Sequence, residues 1–459
     1  MESATQRIAA FAADLGFEDL PAAVVERARL LVLDAAGIMV RARHESESTP
    51  SLIAAAERLG FGGGDCTVIG DSRRYTPSAA ALINGTLAHS LDFDDTHAEA
   101  SLHASAPIVS AAMAAAEMSG ASGRDFITAV VAGYEVQIRL SLALDPSAHY
   151  DRGFHPTATC GVFGATIAAG RLLGLDAAGI ESALGIALSQ AAGSLQFLAD
   201  GAWTKRSHVG QAAQNGLMAA TLAAEGFKGP KEAIEGKRGF LRAYAPDADA
   251  AKATAGLGAA WETLRLAVKP YPSCRYTHAA MDALATLKQE HDIRAEDIEA
   301  VEIGLPETGW KIVGEPEDDK RNPQSVVDGQ FSMPFCAAVV LREGTLSWDH
   351  YATHLTDPDT RALGQLVSTI VDPQAQAAYP ANMAGVARVT SRGETFEAFV
   401  EVPKGEPGNF LDESEFLEKF NTLCGPYMSK DAMDRFARGL LTLDQANSVS
   451  SVLGFGQAG

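Results

Sequence analysis

The sequence predicts a mainly α-helical protein that carries a smaller unit of mixed helices and strands. Apolar residues recur at three- and four-residue steps through residues 1 to 266, which is the period of an amphipathic helix. Short β-like runs are confined to residues 267 to 403. Helical spacing returns in residues 404 to 459, so the chain divides into three segments with helical ones at both ends.

The first segment shows its helical pattern from the start, where Ile8, Phe11 and Leu15 share one face. Two long stretches rich in Ala, Gly and Ser, 105–116 and 161–174, carry few charges. Small side chains let helix axes approach closely, so we expect these stretches inside a large helical domain.

The pattern changes near Lys269. Pro270 and Pro272 make a stiff, extended segment, and a helix is predicted over 277–290. The β-like runs that follow are residues 298–304, 386–390 and 395–402, the last two joined through the turn 391–394.

Two predicted helices near the C-terminus, 412–423 and 430–441, are short and amphipathic. Helices of this length are marginal in isolation, because most of their stability comes from packing an apolar face. We therefore expect this last segment to return to the first helical domain.

Composition excludes several classes of protein. The chain has 459 residues, 47% hydrophobic and 21% charged, so it can bury a large core without disulfide or metal staples. Its net charge of −21 disfavours binding to nucleic acid or to an anionic membrane. Five scattered cysteines without a CxxC pair favour reduced thiols in the cytoplasm and no zinc site. Neither a secretory signal nor a membrane segment is predicted.

Three polar loops enter Ala/Gly-rich helices at their N-termini, where unpaired N–H groups and the helix dipole favour an anion. The first begins at His89, and Asp92 and His103 flank it. A carboxylate and an imidazole on one loop suit a proton-transfer pair. Their neighbours Asp94 and Asp95 are interpreted as solvated or helix-capping residues.

The second loop places His155 directly before Pro156, a residue that suits the first position of a helix. The third loop brings Lys205, Arg206 and His208 into the start of an otherwise uncharged helix. A single histidine is more often structural than functional, and adjacent cations often form a solvated patch. The apolar flanks of the third loop favour a site over a patch.

A fourth cluster lies where the pattern changes, with the cations Lys269 and Arg275 on a rigid segment. His, Lys and Arg thus gather on loops of an otherwise acidic chain. A site for a small polycarboxylate needs this combination, since proton transfer beside a carboxylate requires a base, an acid and cations that hold the carboxylates.

Taken in order, these motifs resemble the MmgE/PrpD family. They are HSLDFDDT at 89–96 with His103, GFHPT at 153–157, Thr204 and Lys205 with His208, KPYP at 269–272, QFSMPF at 330–335 and PKGEP at 403–407. The ordered set covers nearly the whole chain and is far more specific than any single motif.

The resemblance implies a large all-helical domain built from both chain ends (1–266 and 404–459) and a smaller α+β lid domain (267–403). It implies homodimers that need no cofactor or metal. The ligand it implies is a small anionic polycarboxylate.

The resemblance also implies roles for individual residues. Asp92 and His103 would transfer protons, and Lys205 is the third catalytic candidate because it would clamp or polarise a substrate carboxylate. The resemblance implies substrate binding by Thr96, His155 and Lys269. Further candidates for substrate binding are Arg206, His208, Cys274, Arg275 and Phe335.

Two positions depart from the decarboxylase branch of the family. Cys274 stands where that branch resembles a His site, and Phe335 stands where it resembles a Tyr site. A thiol donates protons weakly and a phenyl ring donates none, which disfavours cis-aconitate decarboxylation. The spacing from Thr96 to His103 is also one residue longer than in that branch.

The leading interpretation is a cofactor-independent lyase that dehydrates a hydroxy-polycarboxylate such as 2-methylcitrate. An epimerase or isomerase of the iminodisuccinate type would share most of that machinery. A cis-aconitate decarboxylase and a catalytically silent binding protein are less favoured alternatives.

Two further classes of protein fit parts of the sequence. Asp92, Asp94 and Asp95 spell the DxDD motif of a terpene-type cyclase, but such a cavity needs aromatic rings and only 7% of the residues are aromatic. A metal-dependent hydrolase could use His89, Asp92, Asp95 and His103, and chelation would then abolish its activity.

Overall fold

The structure is a computed structural model that describes residues 2–199 and 201–457. It is 61% helical and 9% strand, which confirms the mainly α class. The chain forms two compact units, one running to Ala267 and resuming at Asp412, the other spanning Val268–Leu411. The second unit extends beyond the predicted end at 403.

The segment after 403 joins the second unit because its backbone is bonded there. The Val268 amide donates to the Gly405 carbonyl at 3.0 Å. The Lys404 amide donates to Asp282 Oδ2 at 2.7 Å. These bonds hold the segment before the C-terminal helices begin.

The N-terminal part of the first unit is a succession of helices with one two-stranded ribbon. The helices are α1 Ala4–Asp14, α2 Ala22–Glu45, α3 Thr49–Arg58, α4 Pro77–Ala88, α5 Ser105–Ser119, α6 Gly123–Leu144, α7 Pro146–Asp151, α8 Pro156–Thr159, α9 Gly161–Leu172, α10 Ala177–Leu188, α11 Thr204–Ala224 and α12 Phe240–Tyr244, and the ribbon pairs β1 Gly62–Thr67 with β2 Arg74–Tyr75.

Helix α6 runs through the core of this unit. It begins with a capping box in which Ser122 and Asp125 satisfy each other's backbone N–H groups. By length and composition it is the one helix in the described ranges that could cross a membrane, and 94% of its apolar window is buried. That burial is the pattern of a core helix.

Close approach of α4 and α11 depends on small residues. A Cβ on Gly210 would lie 2.2 Å from Thr86 Oγ1 and 2.3 Å from the Leu82 carbonyl oxygen. A Cβ on Gly85 would lie 2.9 Å from the Gly210 Cα. Only glycine fits this crossing, which fixes the start of α11 against the loop that follows α4.

The second unit combines helices with a four-stranded sheet of order β4-β3-β5-β6. Its helices are α13 His278–Glu290, α14 Glu307–Gly309, α15 Glu317–Arg321, α16 Val326–Gln330, α17 Met333–Glu343, α18 Trp348–His354, α19 Pro358–Gln365 and α20 Pro373–Ala378, and its strands are β3 Ile298–Leu305, β4 Val367–Val371, β5 Gly385–Ser391 and β6 Glu394–Val400.

The predicted hairpin is confirmed as β5 and β6. Its turn is Arg392-Gly393, with φ of 53° and 76°, and positive φ at both central residues is typical of a type I′ turn. Strand β4 was not predicted and pairs in parallel with β3, from Val301 opposite Val367 to Leu305 opposite Val371.

The chain ends with α21 Glu413–Cys424, α22 Lys430–Leu441 and α23 Val449–Leu453 in the first unit. Helix α21 packs on α2, where a Cβ on Gly37 would lie 3.1 Å from Phe420 Cδ2. The C-terminal segment thus contributes to the unit that contains the first three polar loops.

Candidate active site

The loop 89–104 links the end of α4 to the start of α5 and turns sharply at Asp92. This residue has a φ of 52°, a left-handed conformation that residues other than glycine rarely adopt. Its Oδ1 lies 2.8 Å from the Nζ of Lys205, in the first turn of α11. Backbone strain of this kind is frequent at functional sites.

Asp94 is the centre of a buried cluster with two histidines. Its Oδ2 lies 2.7 Å from His89 Nδ1 and 3.2 Å from His103 Nδ1. The two rings meet edge to face with centroids 4.6 Å apart. Asp94 is 1% exposed, whereas 14% of the His103 side chain is exposed. The interpretation of Asp94 as a solvated or capping residue is therefore wrong.

The charges of this cluster follow from its geometry. Burial alone would raise the pKa of Asp94, but the adjacent His103 and His89 hold it well below its usual value. Burial lowers the pKa of His89 to about 4 in spite of Asp94. At neutral pH Asp94 is a carboxylate and His89 a neutral imidazole, whose Nδ1–H donates to Asp94.

Asp95 is buried, and its side chain caps the start of α5 from the preceding loop, although the N-cap position itself is Ala104. The Ser105 amide, the first of α5, lies 3.1 Å from its Oδ1 and 3.2 Å from its Oδ2. Burial, reinforced by the charge of Asp94, raises the pKa of Asp95 to about 7. Its function is to hold the start of α5, directly after His103.

Lys205 supplies a cation on the opposite side of the loop. Burial alone would lower its pKa, but the carboxylates of Asp92 and Asp94 raise it, so the ammonium is retained. About a quarter of the side chain, 27%, is exposed. Lys205 is therefore a paired cation at a partly open site. It does not belong to a solvated basic patch.

Two further histidines continue the site. His155 precedes Pro156, the first residue of α8, as predicted from the sequence. The His155 ring centroid lies 5.8 Å from that of His89 and 6.0 Å from that of His208, with Phe197 5.9 Å away. Burial keeps the pKa of His155 well below its usual value, so this imidazole is also neutral.

Several buried polar atoms here have no hydrogen-bond partner within residues 2–199 and 201–457. They are His89 Nε2, Asp94 Oδ1, His103 Nδ1, His155 Nδ1 and His208 Nδ1. Buried polar atoms without partners cost free energy, and their concentration in one place is typical of a site that receives a polar molecule.

Two predicted site residues make other contacts. Arg206 Nη1 lies 3.3 Å from Ser46 Oγ and 3.2 Å from Ser48 Oγ. Thr96 pairs through its backbone with Ala267, with two N–H···O bonds of 2.8 Å. The substrate-binding roles of Arg206 and Thr96 stay predictions.

The remaining predicted residues lie in the second unit. Lys269 is 3% exposed, and the Cys274 amide donates to the Gln330 carbonyl at 2.9 Å. Arg275 forms an ion pair with Glu406. The substrate-binding roles of Lys269, Cys274 and Arg275 stay predictions.

Phe335 lies in the hydrophobic core of the second unit. It is 5% exposed and stacks on Tyr351 with ring centroids 5.6 Å apart. The Tyr351 hydroxyl donates to the Pro272 carbonyl at 2.9 Å. These contacts are those of a packing residue, and the substrate-binding role of Phe335 stays a prediction.

The four residues of the metal-hydrolase hypothesis do not come together as one ligand set, because Asp92 pairs with Lys205 and Asp95 caps α5. The donor atoms of His89, Asp94 and His103 do lie within 4.8 Å of one another. Imidazole and carboxylate suit zinc. However, Asp94 Oδ2 already lies at hydrogen-bond distance from one ring and 3.2 Å from the other, which favours a proton-sharing cluster.

His89 and Asp94 are the residues that the sequence reasoning missed. His89 belongs to the motif HSLDFDDT but was assigned only to the metal hypothesis. The available signal was its position at the end of a helix, five residues before Asp94. A turn between them brings both side chains together, and nothing in the local pattern specifies that turn.

Comparison with known proteins identifies the class to which this arrangement belongs. The model of the MmgE/PrpD N-terminal domain matches residues 6–253, and that of the MmgE/PrpD C-terminal domain matches residues 271–445. The chain therefore belongs to the MmgE/PrpD family.

Among curated relatives, the cis-aconitate decarboxylase-like protein oryM of Aspergillus oryzae is 30% identical over 98% of this chain and 96% of its own. Cis-aconitate decarboxylase of Aspergillus terreus is 29% identical over 98% and 95%. The human cis-aconitate decarboxylase is 26% identical over 82% and 79%.

Proposed function

We propose that this protein is a lyase that acts on a small polycarboxylate by transferring a proton at the carbon next to a carboxylate. The observation that carries the proposal is the pairing of His103 with the buried Asp94, beside the Lys205–Asp92 ion pair. An imidazole fixed by a carboxylate is a general base, and a nearby ammonium stabilises the negative charge that proton removal creates.

His103 is the proposed base because it is the most exposed member of its cluster. When its proton is on Nδ1, which lies 3.2 Å from Asp94 Oδ2, Nε2 carries the lone pair that accepts a proton from the substrate. The carboxylate also stabilises the imidazolium that forms, as a buried Asp does for the catalytic His of hydrolytic enzymes.

Lys205 is the proposed electrostatic partner. Its raised pKa keeps it protonated, and a substrate carboxylate can share the ammonium with Asp92. When the C–H bond breaks, the electron pair moves towards the adjacent carboxylate, and Lys205 stabilises that enediolate-like charge. The neutral rings of His155 and His208 are available for hydrogen bonds to the remaining polar groups.

In a dehydration, the enediolate-like intermediate then loses the hydroxyl group of the substrate. The electron pair forms a C=C bond, the C–O bond at the next carbon breaks, and the hydroxyl leaves as water after it receives a proton. The imidazolium of His103 can supply that proton when both groups leave from the same face. A substrate such as 2-methylcitrate has the required hydroxyl beside a C–H bond.

Decarboxylation of cis-aconitate is a second candidate, favoured by the names of the curated relatives. Phe335 packs in the core of its unit, so its lack of a proton donor is a weaker argument against decarboxylation. In this reaction a C–C bond breaks, carbon dioxide leaves, and protonated His103 donates to the resulting carbanion. An epimerase would instead deliver a proton to the opposite face of the same carbon.

Proton NMR in deuterated buffer with EDTA separates these reactions. Citrate, 2-methylcitrate, cis-aconitate and an iminodisuccinate-type substrate are each incubated with the wild type and with His103→Gln. A new vinyl signal without carbon dioxide supports dehydration, carbon dioxide from cis-aconitate supports decarboxylation, and deuterium in an unchanged skeleton supports epimerisation. Equal turnover by the variant, or no reaction of any substrate, contradicts the proposal.

A further inference from the structure

A buried lysine on α21 contacts the loop that carries Asp92 and Asp94. Lys419, on α21, is 9% exposed, and its Nζ lies 2.6 Å from Asp34 Oδ1 on α2. Burying an ammonium is costly unless it is paired and hydrogen-bonded, so this position needs a compensating set of contacts.

The second set of contacts is with the loop itself. Lys419 Nζ donates to the Phe93 carbonyl at 3.0 Å and lies 3.8 Å from the centroid of the Phe93 ring. Phe93 stands between Asp92, which pairs with Lys205, and Asp94, which holds the histidines. A single ammonium therefore fixes both backbone and side chain at the centre of the candidate site.

The charges around Lys419 explain why a cation stands here. Three buried carboxylates, those of Asp34, Asp94 and Asp95, influence one another. Burial raises the pKa of Asp34, Lys419 opposes that rise, and Asp94 adds to it. Tyr134 also faces this group, and burial with the charges of Asp95 and Asp34 raises its phenol pKa.

We propose that Lys419 is a positioning residue that holds the Asp92–Asp94 turn in its reactive geometry. It reaches no reacting atom in this account and acts through the Phe93 carbonyl. The catalytic consequence rests on the proposed function, whereas the ordering of the loop does not.

The test compares Lys419→Met with Asp34→Asn. Methionine keeps an unbranched chain but loses both the charge and the donor to Phe93. Asparagine at 34 weakens the ion pair and leaves the contact between Lys419 and Phe93. If Lys419→Met does not fold, Lys419→Gln, which keeps an amide donor of shorter reach, takes its place.

Phe420→Leu is the matched control for lost stability. Phe420, the next residue on α21, packs on Gly37 and Phe436, so its truncation loosens the same helix and leaves the contacts between Lys419 and Phe93 in place. Thermal denaturation measures the stability of all variants, so that activities are compared between variants of similar stability.

Two readouts decide the proposal. We expect Lys419→Met to lose about 100-fold in kcat with little change in KM, as a small misplacement of catalytic groups can cause. We also expect faster amide hydrogen exchange in peptides covering 89–97. Asp34→Asn and Phe420→Leu should show much smaller effects on both.

Wild-type kcat in Lys419→Met, or equal losses in Lys419→Met and a Phe420→Leu protein of the same stability, would overturn the positioning role. If the wild type turns over no polycarboxylate, the proposed function fails by itself. Hydrogen exchange in residues 89–97 then decides the inference: unchanged exchange in Lys419→Met refutes it, and locally faster exchange supports the ordering of the loop.

Discussion

At the scale of single residues, Asp94 is the group on which the candidate site depends most. One carboxylate oxygen faces the Nδ1 atoms of both His89 and His103, and its pKa is held well below the usual value by these rings. Because that pKa is low, the carboxylate and its contribution to the site are present at every pH above the acidic range and are lost only on strong acidification.

Asp94→Asn tests this dependence. Asparagine keeps the size of the side chain but presents an N–H₂ group to one of the rings, so the tautomer of His103 is no longer fixed. We expect kcat to fall by about 100-fold or more, with the secondary structure unchanged by circular dichroism. Activity within the range of the wild type would show that His103 does not need Asp94.

Asp95→Asn is the matched control, because the Oδ1 of asparagine can still accept the hydrogen bond from the Ser105 amide. Its effect should appear in stability. The folded pKa of Asp95, about 7, is above the unfolded value of 3.8, so the wild type loses stability as pH rises through this interval. A shift of this size corresponds to roughly 4 kcal/mol at most.

We therefore expect Asp95→Asn to be more stable than the wild type at pH 8 and to lose this advantage near pH 4. Urea unfolding at both pH values measures the difference. An advantage that is the same at pH 4 and pH 8 would contradict the raised pKa of Asp95.

At the scale of elements, the crossing of α4 and α11 sets the distance between Asp92 and Lys205. The pair depends on the place where these helices touch, at Gly85 and Gly210. The first two turns of α11 carry Lys205 and His208, and the loop after α4 carries the aspartates. A change at the crossing is therefore expected to reach the site.

Gly210→Ala tests this coupling. Its Cβ would meet Thr86 Oγ1 and the Leu82 carbonyl, and we expect a loss of about 1–3 kcal/mol in the free energy of unfolding together with lower activity. Gly364→Ala, on α19, is the control, because its nearest neighbour is the Pro334 carbonyl at 3.8 Å. Equal stability of the two variants would show that the helices can separate without cost.

Local sequence patterns predicted many elements well. Predicted helices over 277–290 and 430–441 are found as His278–Glu290 and Lys430–Leu441, because their apolar periodicity and capping are local properties. Strand β4 was missed, since five residues in mostly half-exposed positions show little alternation. Its parallel pairing with β3 is a long-range contact that no local pattern specifies.

At the scale of the whole molecule, the order of motifs along the chain was enough to predict the family. The site was predicted only in part for a physical reason. Asp92, Lys205, His103 and His155 stood out because they are polar residues on loops before apolar helices. The roles of His89, Asp94 and Lys419 depend on tertiary contacts that no local pattern specifies. The contact of Lys419 joins α21 to Phe93, which is far away in the sequence.

Chelation tests the remaining alternative, a metal-dependent enzyme. In the proposed chemistry the base is His103 and the charge is balanced by Lys205, so we expect activity to persist after dialysis against EDTA. Restored activity on adding Zn²⁺ to an inactive chelated sample would instead favour a metal held by His89, Asp94 and His103.

The most direct test of the account is the rate at which the proton beside the substrate carboxylate exchanges with deuterium. NMR follows this exchange in the wild type and in His103→Gln, with the substrate that the wild type transforms. We expect exchange or turnover in the wild type and a loss of about 100-fold or more in a folded variant. Equal rates in the two proteins would contradict it.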